Sequence, residues 1–195
     1  MQMENQGNQR FIEAIEASPV IGAVKSMDGL DKCLQSDVGV VFILFGDICS
    51  IGEITDAVKQ AGKLAIVHMD LVNGLAAREI AVDFIQMHTA ADGIITTKAV
   101  LLRRAKELGL YTVQRFFAID SLAYENIPRQ LAAGRPDVIE VLPGLMPKVI
   151  RRLSQSCHVP IIAGGLIADK EDVVAMLDAG AIAISSTNEE TWFLL

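Results

Sequence analysis

The stretch DVIEVLPGLMPKVI, residues 137–150, decides the fold of this chain. It joins a short, almost wholly apolar run at 136–144 to an amphipathic segment at 146–156. A parallel strand covered on both faces has this nearly continuous hydrophobic character. Pro147 falls in the first turn of the amphipathic segment, where a helix accepts proline. The stretch therefore predicts a β-strand followed directly by an α-helix.

The same pair of elements repeats along the chain of 195 residues. Apolar runs lie at 19–25, 38–46, 63–72, 91–98, 110–120, 136–144, 159–167 and 181–187. Predicted helices lie at 28–36, 50–61, 79–87, 100–108, 122–133, 146–156, 170–179 and 189–195. Strands that alternate with helices indicate a parallel sheet with the helices packed outside it.

Eight such units predict a compact α/β fold, a TIM (β/α)8-type barrel. We expect a single domain over residues 1–195, in which 1–18 form an N-terminal extension or a first helix. An open doubly wound sheet is the alternative, but the GxGxxG typical of it is absent from VIGAVKSMDG at 20–29. Four glycines follow predicted helices and fit the C′ position: Gly62, Gly109, Gly134 and Gly180. Two polar residues, Ser50 and Asp169, are candidate N-caps.

The composition restricts the function classes. Lys and Arg number 17 against 24 Asp and Glu, which gives a net charge of −7 and argues against a strongly basic nucleic-acid or membrane-surface protein. Three widely spaced cysteines with no CxxC predict reduced thiols. The longest apolar run, 38–45, is too short to span a membrane. We expect a cytoplasmic protein without a membrane partner.

Ligand groups in such a barrel lie at the C-terminal ends of the strands. A Gly-Gly pair follows the seventh predicted strand, and small hydroxyl residues follow the eighth, before the helix at 189–195. Backbone N–H groups in these two loops commonly bind phosphate in barrels of this kind. The predicted phosphate-binding residues are Gly164, Gly165, Ser185, Ser186 and Thr187. The alternative is a pair of tight turns that require small residues.

A polar ligand cup is predicted beside that site. Period-2 alternation places His68 and Asp70 on one face of the third strand and turns Glu140 into the barrel. A buried carboxylate needs a partner, which Arg115, Lys98 or His68 could supply, although alternation leaves the side of Arg115 open. The predicted ligand-binding residues are His68, Asp70, Lys98, Arg115, Glu140 and Gly144. The alternative is a structural ion network that fills the barrel.

No metal is expected, because the chain has no HExxH, no Cys/His cluster and no carboxylate group with metal-ligand spacing. Basic residues gather in the sixth barrel helix, at Lys148, Arg151 and Arg152. They are either a solvated helix surface or contacts to an RNA backbone. Because that helix follows the loop at 143–144, the three cations are the candidate RNA-binding residues.

Five blocks resemble the glycerol-3-phosphate-responsive antiterminators, the glycerol uptake operon antiterminator regulatory proteins. They are HMDLVNGL at 68–75, DGIITTK at 92–98, VQRFFAIDS at 113–121, DVIEVLPGLMPKVI at 137–150 and IIAGGLI at 161–167. The resemblance runs from about Pro19 to Ser186. The His-x-Asp-Leu and Gln-Arg-Phe-Phe blocks, in this order, are its more specific part, since EVLPG and AGG are common among phosphate-binding barrels.

The resemblance implies a TIM-barrel sensor without a cofactor and not an enzyme. Such regulators bind glycerol-3-phosphate and act on the leader mRNA of a glycerol operon to prevent termination. The phosphate site it implies lies around Gly164, Gly165, Ser185 and Ser186. The rival is a phosphosugar isomerase, epimerase or aldolase, with Lys98 as a Schiff base or with Asp70 or Glu140 as a general base. A third interpretation is a barrel that binds a metabolite and a protein partner.

Overall fold

A computed structural model describes residues 2–194 of the chain, with side chains described from Arg10 onward. Eight parallel strands pair in chain order, and β1 pairs with β8 to close the barrel. The strands are β1 Val20–Val24, β2 Val40–Ile43, β3 Leu64–His68, β4 Gly93–Thr96, β5 Tyr111–Phe117, β6 Val138–Leu142, β7 Ile161–Gly164 and β8 Ala183–Ser186. Each lies inside one predicted apolar run, and the predicted TIM barrel is confirmed.

Helices follow the strands as predicted, with bounds that shift by one or two residues. They are α1 Gln2–Ala17, α2 Met27–Leu34, α3 Ile51–Gln60, α4 Glu79–His88, α5 Ala99–Glu107, α6 Ser121–Gly134, α7 Pro147–Ser156 and α8 Lys170–Asp178. The segment predicted as a last helix at 189–195 is instead a 3₁₀ helix at Glu189–Phe193, and Leu195 lies outside the described residues. Within the segment 1–18, the described residues Gln2–Ala17 form a helix.

Three of the four predicted helix-ending glycines are confirmed. Gly62, Gly109 and Gly180 have φ of 76°, 76° and 103°, in the left-handed region where a side chain is disfavoured. The prediction for Gly134 is wrong, because this residue stays in α6 and Arg135 takes the left-handed conformation. A Cβ at position 134 would lie 2.6 Å from the Gln114 Oε1 atom, so the glycine allows a close approach between α6 and β5.

The two predicted N-caps differ in outcome. The Asp169 side chain accepts a hydrogen bond from the Asp172 N–H at the start of α8, as predicted. Ser50 precedes α3 but makes no side-chain cap, because its hydroxyl bonds to Asp47 instead. Ser50 therefore has the predicted N-cap position, but the predicted side-chain hydrogen bond to the helix is wrong.

The core has two layers, and one end of the barrel is closed. Ala65 and Val67 of β3 pack outward against the helices, whereas Leu64 and Ile66 pack inside the barrel. Buried side chains of α1, among them Phe11 and Ile15, join this inner cluster near the beginnings of the strands. Since α1 occupies the N-terminal end, a ligand has access to the barrel interior at the C-terminal end.

Candidate functional site

A buried ion pair lies inside the barrel at β5 and β6. Arg115 Nε donates to Glu140 Oε2 at 2.5 Å, and the Ser185 hydroxyl of β8 donates to Glu140 Oε1 at 2.5 Å. The Glu140 side chain is 1% exposed and that of Arg115 is 10% exposed. Glu140 thus points into the barrel, as alternation indicates, and Arg115 lies on the same side.

Two glycines let neighbouring strand ends approach this pair. A Cβ on Gly164 would lie 2.6 Å from both Glu140 Oε1 and Ser185 Oγ, so this glycine makes room for the carboxylate. A Cβ on Gly144 would lie 3.0 Å from the Gly164 carbonyl oxygen. Gly164 thus makes room for two side chains and Gly144 for the backbone of β7, which gives a structural reason for glycine at both positions.

A cavity of about 350 Å³ opens above the ion pair. Apolar side chains form part of its wall, including Ala23, Leu44 and Leu142. Its polar part comes from Arg115, Glu140 and the loops after β7 and β8: Gly165, Leu166, Ile167, Ala168, Ser185, Ser186, Thr187 and Asn188. A small cavity with mostly apolar walls and a few polar groups is typical of a binding site for a small molecule.

The loop after β7 has an unusual backbone. Gly165 has a φ of 77° and Leu166 a φ of 64°, the second of which is unfavourable for a residue with a side chain, by about 1 kcal/mol. Leu166 is 72% exposed, so packing does not explain the conformation. Among the described residues, the N–H groups of Gly165 and Leu166 have no hydrogen-bond acceptor.

Neighbouring loops hold this conformation through its carbonyl groups. The Gly144 N–H donates to the Gly165 carbonyl at 3.0 Å, and the Ser186 hydroxyl donates to the Ile167 carbonyl at 2.9 Å. The Asn188 side chain donates to the Ala168 carbonyl at 2.7 Å. The carbonyls of Gly165, Ile167 and Ala168 are therefore occupied, while the two N–H groups beside the cavity stay unbonded within the described chain. Unbonded N–H groups at consecutive positions suit an anion.

The loop after β8 offers less than the sequence predicts. The helix that follows it is a five-residue 3₁₀ helix, and the Asn188 side chain already accepts from the Glu190 N–H. This segment is thus short and capped, and it offers fewer N–H groups to a ligand than an α-helix at this position would. The Ser186 hydroxyl is occupied by the Ile167 carbonyl, whereas exposed Thr187 borders the cavity.

The imidazole of His68, at the end of β3, is buried and makes no side-chain hydrogen bond to the described residues. It is 3% exposed, and neither ring nitrogen bonds to any described residue. Burial, and then the positive charge of Arg115, lower the pKa of His68 to about 4. The imidazole is therefore neutral at pH 7 and adds no charge to the interior.

Asp70 and Lys98 form a second pair, between β3 and β4. Asp70 accepts from the Lys98 ammonium, from the Thr96 hydroxyl at 2.9 Å and from the Thr97 N–H at 2.9 Å. Burial alone would raise the pKa of Asp70, but these hydrogen bonds outweigh it and lower that pKa. In the described part of the chain no direct bond joins this pair to the Arg115–Glu140 pair, although charges of both pairs act on His68.

The helix α7 carries the three cations of the predicted RNA contact. Its sequence, PKVIRRLSQS, contains no acidic residue, and Ile150 and Leu153 form its buried face. Lys148, Arg151 and Arg152 are exposed and form no ion pair with a described residue. Six other cations do pair with carboxylates: Lys32, Lys59, Lys98, Arg104, Lys106 and Arg115.

Sequence reasoning missed two contributors to the site. Leu166 follows the Gly-Gly pair, but no sequence signal predicts a left-handed leucine. Asn188 was visible as a polar residue after the last strand, and its position before Glu189 and Glu190 is a capping pattern that could have identified it. Residues 2–194 contain no helix that could span a membrane, and their described side chains form no cluster of metal-ligand type.

The fold and the cavity define a (β/α)8 barrel with a small cavity, lined by both polar and apolar residues, at the C-terminal end of its strands. Residues 20–192 match the family described as glycerol-3-phosphate responsive antiterminator. The chain belongs to this family, which is a family of regulators that act by transcription antitermination.

Relatives agree with this assignment. The chain is 40% identical to the uncharacterized protein YgcP of Escherichia coli strain K12, over 94% of this chain and 96% of that protein. The glycerol uptake operon antiterminator regulatory protein of Listeria monocytogenes shares 33% identity and a TM-score of 0.86, over 90% and 95% of the two chains. A glycerol uptake operon antiterminator-related protein of Thermotoga maritima shares 37% identity and a TM-score of 0.79, over 89% and 96%. Aldolases and an epimerase at 11–15% identity share the fold alone.

Proposed function

We propose that this chain is a cytoplasmic sensor that binds glycerol-3-phosphate and regulates glycerol uptake and catabolism by antitermination on the leader mRNA of a glycerol operon. One observation carries the ligand: a cavity that joins unbonded N–H groups of Gly165 and Leu166 to the buried Arg115–Glu140 pair. The first element suits a phosphate and the second suits hydroxyl groups. Gly164, Ser185, Ser186 and Thr187 complete the proposed phosphate site. His68, Asp70, Lys98 and Gly144, which are not part of the cavity wall, form the periphery of the proposed cup.

Calorimetric titration tests the ligand. Glycerol-3-phosphate, glycerol and inorganic phosphate are titrated in turn into the full chain. We expect glycerol-3-phosphate to bind with micromolar to millimolar affinity and each fragment to bind more weakly, because each fills one part of the cavity. A fragment that binds as tightly as glycerol-3-phosphate contradicts the proposal.

The RNA contact is proposed for the exposed face of α7. This helix directly follows the loop at 143–144, whose Gly144 N–H holds the loop after β7 at the cavity. A ligand that shifts this loop would also shift Lys148, Arg151 and Arg152. A regulator needs such a coupling, because its ligand must favour one of two conformations that differ in RNA affinity. Unpaired cations are the groups that bind phosphate backbones, even in a chain with a net charge of −7.

A gel-shift series measures this contact with a glycerol-operon leader RNA, with and without glycerol-3-phosphate. The triple Ala variant of Lys148, Arg151 and Arg152 should bind RNA more weakly. The negative slope of its log affinity against log salt concentration should become shallower by roughly 2. Its affinity for glycerol-3-phosphate should stay within about threefold, because α7 does not line the cavity. The control replaces exposed Arg78, Arg129 and Lys170 by Ala, which removes the same charge from three separate elements. Equal losses in both variants would remove α7 from the interface.

The enzyme alternative is tested at Lys98. An aldolase of the Schiff-base type needs a neutral lysine amine in the ligand cavity. Here the Lys98 ammonium is bonded to Asp70, and Lys98 is not part of the cavity wall. Borohydride treatment with dihydroxyacetone phosphate should therefore give no adduct at Lys98. A covalent adduct at this residue, detected by mass spectrometry, would favour the aldolase class.

A further inference from the structure

The cavity contains a carboxylate that retains free acceptor capacity. Glu140 bonds to Arg115 through Oε2 and to Ser185 through Oε1, one donor for each oxygen. An ionised carboxylate has about four lone-pair sites, so roughly two remain. Glu140 also forms part of the cavity wall. Although its side chain is only 1% exposed, its place in the wall makes a donor on a molecule bound in the cavity the partner that suits its remaining lone pairs.

A hydrogen-bond donor lies beside this acceptor. The Arg115 guanidinium uses Nε for Glu140, and its two terminal nitrogens donate to no group in the described part of the chain. Arg115 and Glu140 both line the cavity. The site thus presents a fixed pair of groups, one that accepts and one that donates.

This pair distinguishes an alcohol from a ketone. A hydroxyl group can donate to Glu140 and accept from Arg115 at once, whereas a ketone oxygen can only accept. A ketone placed there would direct its lone pairs toward the carboxylate, among apolar walls that include Leu44 and Leu142. An unmatched polar contact of this kind is unfavourable in a site with little water.

We infer that Glu140 is a specificity-determining residue, which makes the cavity select an alcohol and reject the corresponding ketone in a three-carbon phosphate. The inference rests on the proposed binding of glycerol-3-phosphate and adds a property that the proposal does not contain. A sensor with this selectivity reports the reduced triose phosphate and not its oxidised counterpart.

A ligand series tests the inference on the unaltered protein. Calorimetry compares glycerol-3-phosphate, propane-1,3-diol monophosphate, which lacks the second hydroxyl, and dihydroxyacetone phosphate, which has a ketone there. Affinity should fall in this order, because the second ligand loses a hydrogen bond and the third adds repulsion. We expect glycerol-3-phosphate to bind at least about tenfold more tightly than the ketone.

Glu140→Gln tests the residue itself. The amide keeps the shape and an acceptor oxygen but adds an N–H donor, which a ketone can use. The variant should bind glycerol-3-phosphate roughly tenfold more weakly, and its preference for the alcohol over the ketone should shrink to about threefold or less. Glu107→Gln is the matched control, because Glu107 on α5 is 64% exposed and is not part of the cavity wall. This variant should prefer the alcohol over the ketone as strongly as the unaltered chain does.

The outcomes separate the two proposals. If the unaltered chain binds no glycerol-3-phosphate, the proposed function fails and the inference fails with it. If it binds alcohol and ketone equally, the inference alone fails, whether or not Glu140→Gln folds. If Glu140→Gln folds and keeps the full preference, selection lies elsewhere in the cavity and the role of Glu140 is refuted.

Discussion

Two carboxylate–cation pairs lie at the ligand end of the barrel, and they differ in how completely the protein satisfies them. Asp70 accepts from Lys98, Thr96 and Thr97, and the Lys98 side chain is 42% exposed. Glu140 accepts from Arg115 and Ser185, is 1% exposed and lines the cavity. The first pair is bonded mostly within its own two loops, whereas the second joins three strands.

This difference teaches which of two similar sequence patterns indicates a binding site. A carboxylate whose oxygens are filled by nearby hydroxyl, amide and ammonium groups stabilises the loop that carries it. A buried carboxylate with spare lone pairs beside a cavity is costly unless something else bonds to it. The pair at Glu140 is therefore the expected centre of ligand recognition, and the pair at Asp70 its periphery.

The largest effect should come from a negative charge on the cavity side of the Glu140 pair. Gly165→Asp should weaken glycerol-3-phosphate binding by at least about 100-fold. At a ligand concentration 100 times the Kd of the unaltered chain, it should remove about 2.3 of the about 2.7 kcal/mol of stabilisation that the ligand gives. Gly165→Asn is the matched control, because asparagine must adopt the same φ of 77° as aspartate but carries no charge. Calorimetry and thermal unfolding measure both variants. Similar affinities for Asp and Asn would show that the phosphate lies elsewhere.

A smaller effect, on stability, should come from His68, whose pKa responds to charges of both pairs. Its pKa is about 4 in the folded chain and about 6.5 when unfolded, so the unfolded state binds more protons between these values. The stability that His68 contributes is complete above pH 6.5 and is lost as the pH falls toward 4. At pH 5 the loss should be about 2 kcal/mol relative to pH 8.

Urea unfolding at pH 8 and pH 5 measures this dependence against His68→Gln, which cannot titrate in this range. The difference between the two proteins isolates His68 from the carboxylates, which titrate in both. His88→Gln serves as the control, because His88 is exposed on α4. An equal pH dependence for the unaltered chain and His68→Gln would mean that the buried imidazole does not resist protonation.

The smallest effect on binding should come from Asp70. Asp70→Asn loses the ion pair with half-exposed Lys98 but keeps a side chain of the same shape, so the free energy of unfolding should fall by about 1 kcal/mol. Because Asp70 is already satisfied within the protein, affinity for glycerol-3-phosphate should fall less than about tenfold. Titration of Asp70→Asn beside Glu140→Gln checks the ranking. A larger loss for Asp70→Asn would reverse the comparison between the two pairs.

The sequence predicts the fold well because its signal is local and repeated. Eight apolar runs, each followed by an amphipathic segment, specify strands and helices without knowledge of any distant contact. Period-2 alternation also predicted correctly that Glu140 points into the barrel, because the face of a strand on which a side chain lies depends only on whether its position is odd or even. The resemblance of five blocks identified the family, and the match over 20–192 confirms it.

The sequence alone determined the elements, their order and the set of polar residues at the strand ends. Tertiary structure decided which of those residues meet: Arg115 with Glu140, Ser185 with Glu140, and Ser186 with the Ile167 carbonyl. It also decided that Gly134 stays helical and that Leu166 takes a left-handed backbone. The physical reason is that these outcomes depend on atoms contributed by other strands and loops. Local periodicity describes one element at a time and carries no information about the distance between two of them.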